Sequence, residues 1–315
     1  MRKEIENLTL RGVQRVNTND NFRELFGVEP NGDLSGDQTN IQAAIEAAKL
    51  VGGTVKIYSG DFYITSPLIL RSLVHIDIHK NAKFSFPSGY TDGMFVNEAE
   101  ILVGCQVSGG RYIGITPTWN CISLYGTHLT TAYCMANRFT DMWIENCKHA
   151  IDLDTDTGGW VNGNTFDNIW AWNCVRGIKS TLSLTGTNGI DGNLFSTIQI
   201  QQGDNSLFGI DFEHGSYNIF SNILLWDFLE GVTTLKFGEY ANWNRFNGLM
   251  PGKPADDYVD LGNGNLIETN NTITFGTNKK IVEKCTEYAD NSAALTAGLI
   301  AGMKYRTGDL LKIVH

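Results

Sequence analysis

From Asn137 to Met250 the apolar and polar positions recur in register, and one short phrase opens each recurrence. Asn-x-Phe stands at Asn137-Arg138-Phe139, Asn164-Thr165-Phe166, Asn193-Leu194-Phe195, Asn218-Ile219-Phe220 and Asn244-Arg245-Phe246, with starts 27, 29, 25 and 26 residues apart. A period in the 20s marks a stacked repeat protein. Five places after the Asn come Met142, Ile169, Ile198, Ile223 and Leu249, and seven after come Ile144, Ala171, Ile200 and Leu225. The sixth and eighth places carry Trp143, Trp170, Gln199 and Leu224, then Glu145, Trp172, Gln201 and Trp226. Alternation with period two predicts one strand per unit, with the aliphatic columns inward and the mixed columns outward.

A second strand opens in each unit at Ala150-Ile151, Gly177-Ile178, Gly209-Ile210 and Gly231-Val232, the third after three extra residues. Strands of successive units stack in parallel about 4.8 Å apart. The fold class predicted is therefore all-β, a right-handed parallel β-helix; a β-sandwich with coincidental spacing is the alternative. The recurring Asn is expected at a sharp corner, where it tolerates a left-handed backbone, and the stacked Phe rings are expected to fill the inside of that corner.

Ahead of the repeats the period changes. Ile41, Ala44, Ile45 and Ala48 recur at helical spacing, Thr39 and Gln42 read as a capping box, and Gly52-Gly53 reads as a stop. This predicts a short helix over 39–51 that covers the open end of the solenoid core. Short strands follow at 54–58, 62–65, 68–70, 74–78 and 83–86. Residues 1–35 show no period and read as an attachment segment, with the β-helix and its cap occupying 36–265. The remainder, 266–315, reads as a C-terminal oligomerisation module: one or two strands over 272–284, a small helix over 292–300, and a hairpin turning at Gly308-Asp309.

Gly36-Asp37-Gln38-Thr39-Asn40-Ile41-Gln42-Ala43-Ala44-Ile45, Gly52-Gly53-Thr54-Val55-Lys56-Ile57 and Gly60-Asp61-Phe62-Tyr63-Ile64 together resemble the opening module of the pectate-lyase-like right-handed β-helix superfamily, which includes many bacteriophage tailspikes and tail appendages. The resemblance covers 36–265 in architecture but only the opening stretch by motif. It implies the fold and a carbohydrate partner; catalytic residues differ between branches, so none is carried over. The tail, from Tyr288-Ala289-Asp290-Asn291 through Gly298, Gly302 and Tyr305-Arg306-Thr307-Gly308 to Val314, is similar to a C-terminal module of phage virion proteins.

Composition narrows the partners. Charged residues make up 18%, and the net charge is -10. With no basic run, no nucleic acid and no membrane partner is expected. The six cysteines contain no CxxC pair, and Cys147 and Cys174 hold the same place in adjacent units. Packed free thiols and assembly in a reducing cytoplasm follow. The N-terminus lacks the apolar core of a signal peptide.

No cofactor or metal is expected. Gly248 to Pro254 lacks the spacing of a phosphate loop, and Asp152-Leu153-Asp154-Thr155-Asp156 lacks the Gly and closing Glu of a calcium loop. His75, Asp77 and His79 would point one way from a strand, but the outer two would lie about 13 Å apart, too far for one chain to chelate a metal with all three.

Two outward columns could carry chemistry. On the second strand, Asp152, Lys179 and Asp211 fall in one column, with Asp154, Thr181 and Glu213 in the next. Asp152 and Asp211 would stand about 9.5 Å apart, within the separation of about 6.5–9.5 Å that inverting glycosidases use; Lys179 could hold substrate or abstract a proton. An Asp-Lys-Asp ladder that only neutralises charge between strands fits the same residues. On the first strand, Trp143, Trp170, Trp172 and Trp226 with Gln199 and Gln201 make a face suited either to stacking sugars or to a trimer interface.

The reading is of a homotrimeric phage tail appendage of tailspike type, located in the virion tail after assembly in the host cytoplasm. Its partners would be host surface polysaccharide and other virion tail proteins. The alternative is an enzyme that cleaves that polysaccharide, a glycoside hydrolase or lyase.

Overall fold

The repeats stack as parallel coils. The computed structural model describes residues 13–16, 25–30, 36–98, 101–127, 133–156, 159–182, 189–228, 232–251, 258–269, 272–275, 280–283, 304–307 and 310–313. Within them the chain is a parallel β-solenoid. A first sheet of 16 strands and a second of eight form two sides of the coil, and a short third sheet of three strands closes part of it.

In the first sheet, Arg138–Glu145, Thr165–Trp172, Leu194–Gln201 and Ile219–Trp226 lie side by side in parallel. Phe139, Phe166, Phe195, Phe220 and Phe246 are successive register partners. The first four rings stack with centroids 5.4, 5.0 and 4.6 Å apart, and every one is buried. The aliphatic columns, Met142, Ile169, Ile198 and Ile223 with Ile144, Ala171, Ile200 and Leu225, all face the core. The fifth Asn-x-Phe unit departs from the expected register: Leu224 pairs with Leu249 and Ile223 with Gly248. Leu249 is exposed, and Met250 is buried beyond it.

The Asn does a different job from the one expected. The left-handed backbone falls one residue earlier, on Ala136, Gly163, Gly192, Tyr217, Trp243 and Gly264. The Asn side chains instead form a buried ladder. Asn137 donates from N and Nδ2 to Oδ1 of Asn164, and from Nδ2 to the carbonyl of Leu102. Asn164, Asn193, Asn218 and Asn244 repeat the pattern, and Asn265 receives the last pair. Corner backbone groups that no strand ladder reaches are satisfied this way inside the core. Asn265 escaped the sequence pattern because Ile267 replaces the Phe.

In the second sheet, Ile151, Ile178, Ile210 and Leu235 are register partners. The fourth unit thus opens at Leu235 and not at Gly231-Val232: it carries the same three-residue extension as the third.

The capping helix spans Asp37–Lys49, two residues ahead of expectation, with Gly36 at its N-cap. No Thr39–Gln42 capping box forms. The buried carboxylate of Asp37 accepts the backbone N–H of Tyr63, and Gln42 exchanges hydrogen bonds with the backbone of Ile69, so both residues tie the helix to the first coil. Ile41, Ala44, Ile45 and Ala48 are fully buried. Gly52 takes φ 62° and Gly53 N–H closes on the carbonyl of Ala48, ending the helix as expected.

The described part of residues 1–35 extends the first sheet. Leu25–Val28 adds a parallel strand beside Thr54–Ile57, and Val13–Val16 pairs antiparallel outside it. At the other end Leu266–Thr269 continues the first sheet before Thr272–Phe275 and Lys280–Glu283 turn antiparallel. Lys304–Thr307 pairs with Leu310–Ile313 as the expected hairpin; the expected helix at 292–300 lies outside the described residues.

Candidate functional site

On the second sheet, Ser123, Asp152, Lys179, Asp211 and Lys236 stand in one column as successive partners. The two carboxylates lie two strands apart, about 9.6 Å. Each is already occupied. Asp152 accepts from Asn120 Nδ2 at 2.8 Å and Lys179 Nζ at 3.3 Å, with His149 Nδ1 3.1 Å away. Asp211 receives Arg176 Nε at 2.7 Å and lies 3.7 Å from Lys236 Nζ. Their side chains are only 13% and 7% exposed, which leaves little room for a sugar between them.

The electrostatics point the same way. Burial pushes the Asp152 carboxyl up, but the hydrogen bond and charge of His149 and the ammonium of Lys179 outweigh it and hold it below the usual range. A glycosidase acid needs the opposite shift. Burial lowers the pKa of His149, against the pull of Asp152. In the neighbouring column Asp154 pairs with Thr181. The register with the next strand runs as far as Ser180 with Phe212, and Glu213, the residue after, is ion-paired with Lys236. Lys236 was hidden from the sequence by the uncounted extension in the fourth unit.

The first sheet offers a cavity. Four successive strands of this sheet bend four residues after the ladder Asn, where Asp141, Asn168, Thr197 and Asn222 adopt φ 61°, 51°, 53° and 56°. The bend opens a groove of about 440 Å³ across four coils, lined by these side chains and by Trp143, Trp170, Gln199 and Leu224. Trp143 and Trp170 meet edge to face with centroids 3.7 Å apart. Trp143 is further fixed by its indole N–H, donated to Glu145, and by the Arg111 guanidinium 4.7 Å over its ring. Asn168 Nδ2 donates to Asp141 at 2.6 Å.

The aromatic face expected from sequence is therefore divided. Trp143, Trp170 and Gln199 line the groove. Trp172, Gln201 and Trp226 form the next column, in register with Glu145 and outside the groove; Trp172 and Trp226 are 38% and 43% exposed. The groove's polar column was missed, although the sequence carries a sign of it. Phe stands two places after the Asn and the next inward residue five places after, so strict alternation breaks by one residue and the strand must bend.

A smaller groove of about 210 Å³ holds His75, Asp77, Gln106, Ser108 and Arg138. Among the described residues no three His, Cys, Asp or Glu side chains are placed to hold a metal ion. No helix among them is long and apolar enough to cross a membrane. Cys147 and Cys174 lie with Sγ atoms 2.8 Å apart as free, buried thiols.

No protein-family model matches the chain, and no curated protein matches it. Among solved structures, it is similar to the surface adhesin PfbA of Streptococcus pneumoniae at 11% identity and TM-score 0.44, over 74% of this chain and 82% of the other. It is similar to the tailspike gp49 of Acinetobacter baumannii bacteriophage Fri1, a capsular polysaccharide depolymerase, at 12% identity and TM-score 0.46, over 83% and 63%. A third is ORF18 of Geobacillus virus E2, at 11% identity and TM-score 0.42, over 90% and 68%. The chain spans less than two thirds of the tailspike's length.

Proposed function

We propose that this chain is a carbohydrate-recognition β-helix that binds a host surface polysaccharide along the bent face of its first sheet. The observation that carries this reading is the groove itself. It joins two indole rings, on which the apolar faces of sugars stack, to a run of hydroxyl and amide side chains suited to sugar hydroxyls, and it follows the coil axis as a linear polymer would. Asp141 is its one charged lining residue and is bonded to Asn168, so the reading favours an uncharged stretch of glycan.

The setting proposed is a phage tail appendage of tailspike type, resting on the resemblances of residues 36–64 and 288–314. Trp172 and Trp226, exposed beside the groove, are assigned to contacts within a homotrimer, and 266–315 to the module that holds it together. The Asp152–Lys179–Asp211 column is read as structural, because its carboxylates are neutralised and its best-placed acid is shifted in the wrong direction for catalysis.

The test is binding of purified host capsule and cell-wall polysaccharide to the wild type, Trp170→Ala and Trp172→Ala. Loss with Trp170→Ala in an intact oligomer is the expected result, while Trp172→Ala weakens the oligomer. Wild-type binding that survives Trp170→Ala removes the groove as the site; shortened glycan chains that persist in Asp152→Asn and Asp211→Asn would place an activity elsewhere.

A further inference from the structure

Thr197 occupies the middle of the groove in a backbone conformation that its side chain disfavours. At φ 53° it lies between Asn168 at 51° and Asn222 at 56° in the same column. Asparagine enters that left-handed region several-fold more readily than other residues, whereas a β-branched side chain is an outlier there. Thr197 is the one β-branched residue so placed among the described residues. Its neighbours show that the fold accepts Asn at this corner, so the fold itself does not call for Thr.

The surroundings say what the Thr supplies. Its exposed side chain lines the groove beside Trp170 and Gln199, and its hydroxyl has no hydrogen-bond partner among the described residues. Asn168 and Asp141, one and two coils away, are instead tied to each other. The aromatic end of the groove is thus followed by a free hydroxyl, and strain held at a ligand-facing position is a recurrent mark of functional sites. We infer that Thr197 is a specificity-determining residue of the groove, its hydroxyl reading a sugar hydroxyl on the unit next to the one stacked on Trp170. This rests on the groove being the glycan site.

The experiment prints the wild type, Thr197→Val, Thr197→Ser, Thr197→Asn and Trp170→Ala against an array of purified neutral and acidic bacterial polysaccharides, and records Tm for each. Thr197→Val keeps the branched shape and removes the hydroxyl; binding about tenfold weaker, the worth of one hydrogen bond, is expected. Thr197→Ser restores binding to within about twofold. Thr197→Asn also binds weakly, yet raises Tm by about 2 °C as the corner relaxes. Val and Asn variants that bind like the wild type while Trp170→Ala loses the glycan overturn the role of Thr197 and leave the groove standing. If Trp170→Ala also binds normally, or the wild type captures no glycan, the groove reading itself fails. An unchanged Tm in Thr197→Asn overturns the premise that the position is strained.

Discussion

Asn137 donates from both its backbone and its side-chain nitrogen to the single Oδ1 of Asn164, at 3.1 and 2.9 Å. Asn164 makes the same pair of bonds to Asn193. Each amide therefore closes one corner and supports the next, and these bonds lie inside the core, where an unmade hydrogen bond carries its full desolvation cost.

Asn164→Ala removes the acceptor of Asn137 and the donor to both Asn193 and the carbonyl of Cys134. We expect a loss of about 3 kcal/mol or more, measured as a lower urea midpoint. Asn164→Asp keeps an acceptor for Asn137 and loses the amide donor, so it falls short of wild type as well. A loss below about 1 kcal/mol in Asn164→Ala would show that the ladder is not a main support of the coil.

Acid should weaken the fold through His149. Buried and held below its ordinary value of 6.5, it stays neutral in the folded chain at a pH where the unfolded chain already takes up a proton. Its contribution is therefore complete above about pH 6.5 and is lost as pH falls toward the folded value. Asp152, held below 3.8, adds a second loss below about pH 4 for the same reason. Asp191, raised by burial, acts in the opposite sense near pH 4, and His214, lowered by burial, adds to His149. Urea titrations at pH 7.5 and 5.5 should show a fall bounded by about 1.4 kcal/mol per pH unit for one proton, with a flatter profile in His149→Gln.

Asp211→Asn leaves Arg176 and Lys236 without their shared carboxylate. We expect destabilisation of about 1–3 kcal/mol with glycan capture unchanged, measured by denaturation and by the binding assay in parallel. Loss of glycan binding or processing at unchanged stability would instead mark Asp211 as part of a working site.

What the sequence determined by itself is what repeats. One side chain per coil at a fixed spacing must stack if the coils stack, so the Phe column, the aliphatic columns and the Asp152–Lys179–Asp211 column were readable from spacing alone. Where the spacing slipped, so did the reading, at Leu235 and Leu249. Only the tertiary structure decided which way each corner turns. The left-handed residue proved to be the one before the Asn, and a second bend at Asp141, Asn168, Thr197 and Asn222 split one tryptophan face into a groove and a flank. Backbone sign and sheet curvature arise from packing between coils, and that packing also brought His149, Asn120 and Arg176 onto the carboxylates, turning a column that spacing alone allowed to be catalytic into a compensated one.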